Sequence, residues 1–213
     1  EIKRFLYHSI KIKINLKMKR FIIITIIVFG FFSKSLANEI SDFQIEGLYV
    51  GESLLDYASL KKIEASKSKQ QFPNDKYIIY SGENLIELKT YEYLNIVIKK
   101  NDKKFTIVGL AGIKSYNTLD ECNNLKNEIQ SSLEKIFNFN SKDITKYPSK
   151  QDKTGKSMVY GIQNYLKPYP SLEAININCF HFVGDKKKSR NLKVCINSEE
   201  FAHFLLNDAY KEK

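Results

Sequence analysis

Apolar residues recur along the chain with different periods, and each period predicts a different element. Residues 21–32 form a run broken only by Thr25 and Gly30. From Tyr91 the period is two: Leu94, Ile96 and Ile98 alternate with Tyr93, Asn95 and Val97. After the polar KKNDKK, residues 105–113 resume β-type composition, so this region predicts a hairpin. The next stretch has a helical period, with Leu119, Cys122, Leu125, Ile129, Leu133 and Ile136 forming one stripe behind Thr118 as cap and Glu121 three residues on. A stripe of that kind needs a partner surface, and the preceding hairpin is the nearest one.

Further on, residues 158–166, 172–183 and 192–196 read as three strands, and Ser198 followed by Glu199 and Glu200 predicts a closing helix. Ser53, three residues before Asp56, predicts a short helix with a break near Ser59. These elements define an α+β fold, antiparallel sheet covered by capped amphipathic helices. Both halves run strands first and a capped helix last, so the chain forms either one domain or two similar lobes, residues 38–140 and 158–213. Residues 141–157, polar, Lys-rich and punctuated by Pro148 and Gly155, read as a linker or surface loop between them.

The apolar run at 21–32 has a different meaning. Lys19 and Arg20 precede it, and the small residues Ser35 and Ala37 follow, which is the order of a secretion signal spanning 18–37 with cleavage after Ala37. Crossing a bilayer takes about 20 apolar residues, more than this run supplies, although a retained signal anchor is the competing reading. Residues 1–17 precede Met18 and read as upstream translation. The expected location is the periplasm, with no stable transmembrane span after cleavage.

Setting the first 37 residues aside changes the charge. They hold eight of the 34 Lys and Arg but one of the 24 Asp and Glu, so the net charge of +10 falls to +3. A nucleic-acid partner, which needs a clustered basic face, loses its support. TGKS at 154–157 ends like a phosphate-binding loop, but Lys150 stands where that motif requires its first glycine. No cofactor is expected from any motif present.

Export also brings an oxidising compartment, where thiols pair. Cys122 lies on the apolar stripe and Cys179 shares a strand face with Ile175 and Ile177, whereas Cys195 points opposite to Val194 and Ile196. Cys122 with Cys179 is the favoured bridge; the other pairings and three free thiols stay open, because sequence does not fix connectivity. A rival use of the same residues is a metal site. Cys179, His181, Cys195 and His203 make the donor set of a tetrahedral zinc or soft-metal centre, but their spacing matches no metal motif, and an inward-facing core histidine also accounts for His181. Two surfaces suit contacts: the loop bearing Lys186, Lys187, Lys188 and Arg190, as an anion or headgroup contact or a solvated loop tip, and the Pro-rich turn bearing Tyr165 and Tyr169.

The segment GLYVGESLLD at residues 47–56, with the hairpins and capped helices after it, resembles a group of small exported bacterial proteins of unassigned activity. More distantly, its G-x-x-x-G-x-S-x-x-D pattern looks like the start of the SmpA/BamE-type domain of outer-membrane assembly lipoproteins. That resemblance implies helices packed on a small antiparallel sheet and a scaffolding role. The chain departs from the family in lacking a lipid-bearing Cys after the apolar run. The function expected is a binding or scaffolding component of the cell envelope, with an envelope protein or small ligand as partner; the alternative is a periplasmic enzyme, metal-assisted or not.

Overall fold

The structure is a computed structural model and describes residues 39–149, 152, 154–183 and 190–209. After a 3-10 turn at Ile40–Asp42 come two short strands, β1 (Gln44–Ile45) and β2 (Leu48–Tyr49), which pair across a turn at Glu46 and Gly47. Both turn residues have positive φ, 55° and 83°, so glycine suits the second position. A single 3-10 turn (Leu54–Asp56) follows, where Ser53 Oγ accepts the Leu55 N–H, and helix α1 (Leu60–Ala65) starts after the expected break at Ser59.

The remaining strands are β3 (Tyr77–Ser81), β4 (Tyr93–Lys99), β5 (Ile107–Ser115), β6 (Ser141–Pro148), β7 (Met158–Tyr165), β8 (Ala174–His181) and β9 (Asn191–Asn197), with helices α2 (Leu119–Leu133) and α3 (Glu199–Asn207). They form one antiparallel sheet of seven strands in the order β3-β4-β5-β9-β8-β7-β6. The α+β class holds, but the sheet joins the two halves: β5 pairs with β9 from Gly109↔Asn197 to Ser115↔Asn191.

The 141–157 reading needs the larger correction. Residues 141–148 are strand β6, in register with β7 from Ser141↔Tyr165 to Pro148↔Met158. Its side chains are mostly exposed, so no apolar alternation marks it; an edge strand is held by backbone hydrogen bonds and needs none. Sequence reading also passed over β1, β2 and β3.

The period-two alternation gives the sheet two unlike faces. Leu94, Ile96, Leu110, Ile175, Ile177, Cys179, Leu192, Val194 and Ile196 all point to one of them and are almost completely buried. Helix α2 covers this face, locked to β8 by a disulfide between Cys122 and Cys179. The bridge closes 57 residues of chain, which is worth about 4 kcal/mol on the loop-entropy account.

Thr118 caps α2 as expected, its Oγ1 accepting the Glu121 N–H at 3.2 Å, while the Glu121 carboxylate accepts from Asn117 at 2.9 Å. The buried side of the helix is nevertheless turned from the predicted stripe. Lys126 and Gln130 are buried with Cys122 and Leu133, while Ile136, beyond the helix end, is 53% exposed. Gln130 can be buried because it meets Asn164 of β7: each amide donates to the other's oxygen at 2.8 Å.

Part of the second face is covered by a helix. There α3 packs Phe201 and Phe204 on Tyr77, Val97 and Phe72. Gly109 makes the approach possible, since a Cβ there would meet the Phe201 ring at 2.8 Å. Ser198 caps α3 by accepting the Phe201 N–H. At the sheet's β3 edge, residues 66–71 act as a strap: Ile79 and Ser81 bond with Ser68 and Ser66, and the Gln71 side chain both accepts from and donates to the Ile79 backbone. No helix among the described residues is long and apolar enough to cross a membrane.

Candidate binding face

The strand registers fix which side chains share the second face. One row crosses the sheet as Asn95, Ala111, Cys195, Asn176, Gln163 and Asp143, each opposite the next. The neighbouring row is Tyr93, Ile113, Lys193, Asn178, Gly161 and Thr145. The cause is local: in AININC the residues between Ile175, Ile177 and Cys179 are asparagines, so the pleat that buries the isoleucines turns Asn176 and Asn178 to the other side.

Asn95, Asn176, Asn178, Gln163 and Asn197 are all half-buried, and among the described residues none of their side chains is hydrogen-bonded. This contrasts with Gln130 and Asn164 on the packed face, which satisfy each other. At Gly161 the absent side chain leaves room for Asn178 and Thr145, both of which a Cβ would strike.

Between this face, the strap and α3 lies a cleft of about 360 Å³, with Asn95, Cys195, Lys193 and Asn197 on its floor and Phe72, Phe201 and Leu205 in its walls. Cys195 is free and partly accessible. Burial pushes its thiol up, only partly offset by Lys193, so the sulfur stays protonated and is a poor nucleophile. The cleft thus offers hydrogen-bonding groups and apolar walls, with one cation, Lys193.

The proposed metal donors do not converge. Cys179 is spent in the disulfide; Cys195, as its alternation predicted, faces away from Val194 and Ile196. His203 stands on α3 with Nε2 at 3.3 Å from Glu199. His181 is at the far end of β8, where burial and then Arg190 push its ring toward the neutral form, and its Nδ1 is buried without a partner. No group of three or more His, Cys, Asp or Glu among the described residues could hold a metal ion.

Of the two expected contact surfaces, Lys186, Lys187 and Lys188 lie outside the described residues. Arg190 has a structural use, donating from Nη1 to the Asn117 carbonyl at 2.9 Å and so tying β9 to the start of α2. Tyr169 is 92% exposed at the tip of the β7–β8 turn, the opposite end of β8 from Arg190. Glu199 braces that turn by accepting from Ser171 Oγ at 2.5 Å and from the Leu172 N–H at 3.0 Å. Tyr165 belongs to the open face itself, beside Asp143; burial and then that carboxylate raise its hydroxyl.

Comparison with known protein families, with curated proteins and with solved structures returned no match.

Proposed function

We propose that the protein is exported to the periplasm and acts there as a non-catalytic binding component of the cell envelope, holding its partner on the open face of the sheet. The observation that carries this reading is the set of half-buried carboxamides left unpaired beside a cleft. Their polar atoms are reachable from solvent and are not taken up by protein groups among the described residues, so a ligand meets donors and acceptors already aligned across the strands.

The compartment is supported by the disulfide, since bridges of this kind persist where the surroundings are oxidising. A binding role rather than catalysis is favoured by the protonated thiol at the cleft floor and by the separation of His181 from His203. The resemblance of residues 47–56 to the SmpA/BamE-type domain also leans toward scaffolding.

The test has two arms. Cell fractionation with N-terminal sequencing should find the protein in the periplasm, beginning at Asn38. Envelope extract should raise the melting temperature of the purified protein, and this shift should disappear in the Asn176→Ala/Asn178→Ala variant. Recovery from the cytosol with the residues before Asn38 intact, or a shift the variant keeps in full, would refute the respective half of the proposal.

A further inference from the structure

The ligand class can be read from what the open face offers. Each carboxamide presents one acceptor and two donors, and a hydroxyl likewise donates and accepts, so a row of amides matches a surface dense in hydroxyl groups. The two rows carry one cation, Lys193, and one anion, Asp143, which leaves the strip electrically balanced. A polyanion such as nucleic acid would call for clustered lysines and arginines, and a lipid chain would call for a continuous apolar groove. An extended peptide is held by the backbone of a strand edge, with pockets for alternate side chains, and here the groups on offer stand on the face.

We infer that the strip from Asn95 through Cys195 and Asn176 to Gln163 binds a neutral oligosaccharide, with the half-buried Phe72 in the cleft wall receiving the apolar face of a ring at one end. This inference rests on the binding role proposed above and names its ligand. Neighbouring strands are about 4.8 Å apart, so the row from β4 to β6 extends about 24 Å, room for several sugar rings in line. Until the ligand arrives, water completes these amides, and hydroxyls that reproduce the water's hydrogen bonds displace it at little cost.

Nuclear magnetic resonance tests this directly, because side-chain amides give their own signals. The purified, nitrogen-15-labelled protein is titrated in turn with chitohexaose, maltohexaose and cellohexaose at up to millimolar concentration. At least one should shift the Asn176, Asn178 and Gln163 side-chain signals in a saturable way, while the Gln130 and Asn164 amides on the packed face stay in place as a control on the fold. Asn176→Ala with Gln163→Ala should weaken that binding about tenfold or more.

If none of the three sugars moves the strip, the saccharide assignment falls. If a peptide digest of envelope proteins then shifts the same signals, the assignment falls while the binding face stands. If whole envelope extract also leaves them unmoved, both fall together.

Discussion

The two faces of the sheet are built by the same strands from alternate residues, yet they solve opposite problems. On the packed face Ile177 is fully buried beneath α2, and Gln130 and Asn164 satisfy each other's amides. One residue along, Asn178 faces outward with its amide unpaired. The packed face therefore stores the stability, and the open face can change its side chains at little cost to the fold. A protein arranged in this way can be tuned for a ligand without being destabilised.

That contrast can be broken most severely at the disulfide. Replacing Cys122 and Cys179 with alanine should cost about 4 kcal/mol, lowering the melting temperature on the order of 10 °C, whereas Cys195→Ala on the open face should leave it within about 2 °C. Next, Ile177→Ala should cost about 3 kcal/mol in urea unfolding, against less than about 0.5 for Asn178→Ala. Equal losses at the two positions would mean that the second face is also part of the core.

A smaller effect tests whether the buried amide pair belongs to the packed face. Asn164→Leu removes the donor from the buried Gln130 carbonyl oxygen, while Gln130 Nε2 keeps Glu134, and should cost about 2 kcal/mol, and adding Gln130→Leu should recover most of it.

Acid sharpens the comparison further. Burial raises the Glu46 carboxyl, but the N–H groups of Lys89, Tyr91 and Thr90, which all donate to it, outweigh that and hold it below the ordinary carboxylate range. A folded value below the unfolded one adds stability that is complete above about pH 4.3 and is lost as pH falls through the folded value. Thermal melts from neutral pH down to about pH 3 should therefore decline less steeply for Glu46→Gln than for the parent protein.

How much of this was legible beforehand follows from what each residue does. Alternation at Leu94, Ile96 and Ile98 marked β4, and Thr118 and Ser198 marked two helix starts, because burial and capping act on neighbouring residues. The Cys122–Cys179 pairing was readable for the same reason, both cysteines lying on apolar faces that had to meet. The edge strand β6 carries no such signal, since Lys142, Ile144 and Lys146 stay outside the core. The rotation of α2 was equally hidden: Lys126 and Gln130 look like solvent residues until Asn164 supplies a partner. The open face was in view all along in AININC, but reading those asparagines as a row required the registers of β7, β8 and β9, which join residues distant in sequence.

The place of β9 has a consequence for assembly. Among the described strands it is the last in sequence, yet it fills the gap between β5 and β8, so the two blocks β3-β4-β5 and β8-β7-β6 keep open flanks until residues 191–197 slot between them. Any event that delays the tail, from a stalled ribosome to a truncation before Asn191, leaves two sticky half-sheets in place of a shortened protein, and the natural fate of such pieces is to join each other.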